Sequence, residues 1–166
     1  MGKPILTPAR VRALWAADLE SGLHKQGCGA LHQSLATGGD AFCCLGRLCV
    51  LAVENGVIPA PKHGFFGWYY DSCKVSLPPA VQEWAGLSGN NGCMTDGDSL
   101  AEMNDNGVSF AKIADIIERR PPGLFIEPGR RRVGSARRDE ARQEQANGNH
   151  DIPGRPGHRN SAACRV

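Results

Sequence analysis

Residues 42–56 read Phe-Cys-Cys-Leu-Gly-Arg-Leu-Cys-Val-Leu-Ala-Val-Glu-Asn-Gly, an almost uninterrupted apolar run that ends on a glycine. Leu45, Leu48, Cys49 and Ala52 recur on one helical stripe, while Phe42, Cys44, Leu51 and Val53 spread apolarity to other faces. A helix apolar nearly all round belongs at the centre of a fold. The run therefore predicts a buried helix from Phe42 to Asn55, capped by Gly56. Gly46 costs such a helix about 1 kcal/mol relative to alanine, so its reason is the close approach of a neighbouring element.

Working outward, Thr7-Pro8 is a helix start, because the Thr hydroxyl accepts an orphan N–H and Pro suits the first helical position. Val11, Leu14, Trp15 and Leu19 extend that helix to about Ser21. Gly22, Gly27 and Gly29 break the chain beyond it; Ala30, Leu31 and Leu35 suit a short strand, and Thr37-Gly38-Gly39-Asp40 a turn. Downstream, Phe65-Phe66-Gly67-Trp68-Tyr69-Tyr70 packs five aromatic residues into six positions. The stretch reads as a strand or as a platform for stacking a base, and rings this dense more often cover a core. Leu77-Pro78-Pro79 opens a short helix carrying Val81 and Trp84, and residues 88–97 form a polar loop. Asp98 or Ser99 caps a helix from Leu100 to Asn106, and Ser109 caps a last one that Pro121 stops.

The chain has 166 residues and a formal charge of +2, but that charge is unevenly placed. Residues 1–120 hold 10 Lys/Arg and 12 Asp/Glu, whereas residues 121–166 hold 9 Arg and 5 acids. The second segment also contains 6 Gly and 5 Pro and few large apolar side chains. It lacks the apolar surface to offset an ordering cost of about 1–2 kcal/mol per residue. The expected organisation is one compact, mostly helical α+β domain over residues 5–120, with a short hairpin or strand element, and a disordered Arg/Gly/Pro-rich tail over 121–166. No apolar run has signal-peptide or membrane-span length, so a cytoplasmic location without membrane contact is expected.

Seven cysteines in such a compartment read as reduced thiols. His24, Cys28 and His32 are spaced four apart, but Gly27 and Gly29 argue against the helix that would align them, and no paired Cys-x-x-Cys knuckle exists. Cys43 and Cys44 diverge by about 100° on a helix. No metal site and no cofactor is expected. Cys44, at a helix start, is the best-placed thiol, yet apolar surroundings raise rather than lower its pKa. Asp96-Gly97-Asp98-Ser99 begins like a calcium loop but lacks the later ligands, and no phosphate loop is present. No catalytic residue is assigned, and the protein is read as non-enzymatic. Residues 100–119 look like the first part of a helix-turn-helix whose recognition helix is replaced by Arg119-Arg120-Pro121-Pro122-Gly123.

Taken together, the motifs resemble those of a group of small phage and prophage proteins, mostly of unknown function. The resemblance rests on Gln26-Gly27-x-Gly29-x-Leu31, Phe42-Cys-Cys-Leu-Gly-x-Leu-Cys49, Leu77-Pro with Trp84-x-Gly86-Leu87, and the ending Leu100-Ala-Glu-x-Asn104-Asp105-x-Gly107-x-Ser109-Phe110-x-x-Ile113-Ala114-Asp115-x-Ile117-Glu118. It covers about residues 10–119. Arg47 departs from it, standing where the pattern is usually apolar, and the tail has no counterpart. The resemblance implies a phage or mobile-element accessory protein that binds and inhibits a host protein or complex, such as a CRISPR-type defence system. A second version sequesters a nucleotide second messenger, with Trp68, Tyr69 and Tyr70 stacking and Asn104 and Asp105 making polar contacts. The alternative is a nucleic-acid-binding regulator that uses residues 100–119 and the tail arginines Arg130, Arg131, Arg132, Arg137 and Arg138.

Overall fold

In the computed structural model, which describes residues 6–127, helix α1 (Pro8–Glu20) starts where Thr7 and Pro8 place it, and Arg10 N donates to Thr7 Oγ1 at 3.4 Å. The chain then forms three very short strands, β1 (Lys25–Gln26), β2 (His32–Ser34) and β3 (Asp40–Phe42), in the order β1-β3-β2. β2 and β3 are antiparallel, with His32 opposite Phe42, while β1 runs parallel to β3. The strand expected around Ala30, Leu31 and Leu35 falls between them, because Leu31 is drawn wholly into the core and Leu35 opens the turn to Gly39.

The apolar run forms helix α2 (Cys44–Glu54), two residues shorter at its start than the sequence suggests. Phe42 is claimed by the sheet, where it pairs with Gln26 and His32, and Cys43 becomes the cap, its Sγ accepting from Gly46 N at 3.3 Å. The close approach expected at Gly46 is present: a Cβ there would stand 1.7 Å from the Leu31 carbonyl oxygen. Trp15 Nε1 donates to Cys44 O at 2.9 Å, tying α1 to the start of α2. Arg47 is 5% exposed and is accommodated inside the fold because its Nε and Nη2 each donate to Asp18 at 2.8 Å and its guanidinium lies over the Phe42 ring.

After α2 come a hairpin of β4 (Lys62–Gly64) and β5 (Gly67–Tyr69), then helices α3 (Pro79–Ala85), α4 (Leu100–Asp105) and α5 (Phe110–Arg119). Among the described residues the domain is thus an α+β arrangement of five helices and five short strands. α1 packs mainly on α5, with α2 and α3 also against it. Ser99 caps α4 as expected, accepting from Glu102 N. Ser109 sits at the start of α5 but its side chain makes no cap bond; Gln26 Oε1 accepts from Phe110 N at 3.1 Å instead. A distant glutamine thus takes the place expected for the local serine.

The expected boundary at residue 120 moves outward. Pro121 ends α5, yet Leu124 and Phe125 are buried, Phe125 bridges Leu87, and Ile126 N donates to Gly86 O at 2.9 Å. These residues cover the end of α3, and Arg12 lies over the Phe125 ring. The rest of the expected tail, with Arg130, Arg131, Arg132, Arg137 and Arg138, lies outside the described residues. No helix among the described residues is long and apolar enough to cross a membrane.

Candidate binding face at the β4–β5 hairpin

The five aromatic residues of 65–70 do not share one role. Tyr70 alone is fully buried; Trp68 and Tyr69 are half-buried, and Phe65 and Phe66 at the turn are 96% and 69% exposed. The expectation that these rings cover the core is corrected for the two phenylalanines. Gly64 and Gly67 bracket a two-residue turn, Gly67 at φ +116°, and that turn leaves both rings outside the sheet. The two rings meet edge to face, 5.0 Å apart.

The hairpin is held to the three-stranded sheet by Trp68. Its indole stacks on His32 at 4.6 Å and 4°, and its Nε1 donates to Ser34 Oγ at 2.9 Å. His32 stacks in turn on Phe42 at 4.3 Å, so three rings form one column. Burial pushes the Tyr70 phenol up and keeps it protonated, and its hydroxyl is hydrogen-bonded with His32 Nδ1 at 3.3 Å. His32 Nε2 lies 3.1 Å from Asp40 Oδ1, yet this buried nitrogen has no hydrogen bond.

Beside this column is an open cleft of about 420 Å³, lined by Ser34, His63, Phe66, Trp68 and Lys74 among others. A second hollow, about 390 Å³, lies where Lys62, His63 and Tyr69 face Asp71 and Ser72. Trp68 and Tyr69, proposed together from sequence, therefore line different hollows, and Tyr70 lines neither.

Asn104 and Asp105 are engaged elsewhere. Asn104 is 2% exposed; its Oδ1 accepts from Gln26 Nε2 at 3.0 Å and from Cys44 N at 3.1 Å, and its Nδ2 donates to Gly27 O at 2.8 Å. Asp105 Oδ1 accepts from Gly29 N at 2.9 Å. The pair clamps the Gln26–Gly29 segment to the start of α2, so three of the sequence motifs meet as one structural joint. The residues that sequence reasoning missed are Phe65, Phe66, Lys74 and Ser34. The signal for the phenylalanines is Gly-x-x-Gly between residues suited to paired strands, a hairpin pattern; nothing local marks Lys74 or Ser34.

Burial raises the Cys43 thiol to about 11 and pushes Cys44 and Cys49 up as well, so these thiols are protonated near neutral pH and act as small apolar groups. His24 lies 3.3 Å from Asp18, away from the His32 column, and among the described residues no group of three His, Cys, Asp or Glu side chains is placed to hold a metal. On α5 the buried face is Phe110, Ile113, Ala114 and Ile117, and Asp115 pairs with Arg119 on the other. Among the described residues, the chain from 121 to 127 runs along Gly86 and Leu87 rather than forming a further helix.

A family model described as a domain of unknown function, DUF8296, matches residues 8–121. The chain belongs to the DUF8296 family. The match takes in all five helices of the DUF8296 domain and both elements of its hairpin, and stops just short of the packed residues Leu124 and Phe125. No curated protein and no solved structure matches the chain.

Proposed function

We propose that this DUF8296 chain is a non-enzymatic, cytoplasmic accessory protein of a phage or mobile element that binds and inhibits a host protein, and that it does so through the tip of the β4–β5 hairpin. The observation that carries the reading is the exposure of Phe65 and Phe66 on a turn that Trp68 anchors to the sheet. Adjacent exposed phenylalanines cost solubility, and they are tolerated where a partner covers them. Because the hairpin is fixed, docking loses little conformational entropy. Lys62 and His63 flank the turn on the β4 side, so the fitting partner offers an apolar pocket with an acidic rim.

Phe65 does not line the cleft, so Phe65→Asp tests the tip by itself. The variant should keep the melting temperature of the parent while host proteins retained by the parent are held at least about tenfold more weakly, about 1.4 kcal/mol, as expected for an aromatic anchor. Equal retention by both chains contradicts the reading.

A further inference from the structure

Lys74 is half-buried at the edge of the cleft, and its ammonium has neither an ion pair nor a hydrogen bond among the described residues. Its stem runs beside Gly67, with Cε 3.7 Å from where a Cβ on that glycine would stand, and its backbone carbonyl accepts from Leu31 N at 2.9 Å. The lysine is thus held against the hairpin rather than extended into water. A half-buried cation with no counter-charge leaves a favourable place for an anion. Across the same cleft stand the Phe66 ring and the edge of the Trp68 column, with Ser34 Oγ and the His63 imidazole as polar groups. Ring surface and an uncompensated ammonium within one hollow select a ligand that is aromatic at one end and anionic at the other. The volume, about 420 Å³, lies within the range of about 300–1,000 Å³ that small-molecule sites occupy.

We infer that this cleft binds a nucleoside monophosphate, its base against Phe66 and Trp68 and its phosphate on the Lys74 ammonium. The base is held by stacking, which is tolerant of base identity because every base offers a flat face. Lys74 meets the phosphate as a point charge, so affinity falls as salt rises. Asp40, which faces His32 behind the ring column, is the acid of this neighbourhood, and Ser34 Oγ donates to it at 3.2 Å. The cleft shares Phe66 with the hairpin tip but takes in Lys74 and not Phe65, so Lys74→Met probes the cleft and Phe65→Asp the tip, and the free chain suffices to test the cleft.

The full chain is titrated with AMP, GMP, CMP and UMP by calorimetry and thermal melting, with adenosine and ribose 5-phosphate as half-ligands. The four nucleotides should raise the melting temperature by similar amounts, and each half-ligand by less. Lys74→Met should remove the advantage of AMP over adenosine, and Phe66→Ala the advantage of AMP over ribose 5-phosphate. No heat and no stabilisation by any nucleotide at millimolar concentration overturns the proposal. So does unchanged AMP binding by Lys74→Met, or a response to single-stranded oligonucleotides without one to mononucleotides. Retention of host proteins by a chain that fails these titrations leaves the tip reading standing and the cleft reading refuted.

Discussion

Gly46→Ala should destabilise the domain by about 3 kcal/mol, against the gain of about 1 kcal/mol that the same change brings in an ordinary helix interior. The methyl group would stand 1.7 Å from Leu31 O and 2.6 Å from Leu31 C, both backbone atoms. Relief requires the entry to β2 to move away from α2. That same carbonyl accepts from Cys43 N, and Leu31 N donates to Lys74 O, so movement also breaks the hydrogen bonds that seat the cap of α2 and the 74 segment. Urea unfolding of the two chains measures the difference, and a variant as stable as the parent would show that α2 and β2 do not meet as described.

Asp18→Ala should cost about 3–5 kcal/mol, because it leaves the Arg47 charge buried without its carboxylate. The geometry is a two-pronged pair, Nε and Nη2 of Arg47 each 2.8 Å from one Asp18 oxygen, with side-chain exposures of 6% and 14%. Arg47→Met alone should cost less, since Asp18 lies nearer to water and keeps His24 at 3.3 Å. The double variant Asp18→Ala with Arg47→Met should recover most of the loss, since an apolar pair removes the need to solvate either charge. If the double variant is as unstable as Asp18→Ala, the pair is not what holds this part of the core.

These two positions also show how much of the fold is legible in the sequence. Gly46 announces a close contact because a glycine is unfavourable in the middle of an apolar helix, and the contact is there. Helices α1, α3, α4 and α5 follow from local start and stop residues and periodicity, signals that depend on near neighbours alone, and at α1 and α4 the local cap bond forms as well. Arg47 stands out as a charge in an apolar run, but its partner lies on α1, 29 residues away, and no local rule finds it. The same holds for Gln26, which caps α5 from 84 residues away and displaces Ser109 from that role. Strands of two or three residues carry too little alternation to be read, and they exist because pairing partners hold them. The site is half legible: aromatic density marks 65–70, but only the fold separates the anchoring Trp68 from the displayed Phe65 and Phe66, and only the fold brings Lys74 beside them. Asn104 and Asp105 resemble ligand contacts because short polar residues at a helix end suit both recognition and clamping. Four hydrogen bonds, three from Asn104 and one from Asp105, place them in the clamp.

Docking by the hairpin tip can be read directly by replacing Phe65 with a photo-crosslinking phenylalanine in the full chain, expressed in the bacterial host, with the exposed Leu23 as the control position. One discrete covalent adduct with a host protein is expected from position 65 and none from position 23. Equal labelling from the two positions, or no adduct from position 65, would show that the tip is not the docking surface.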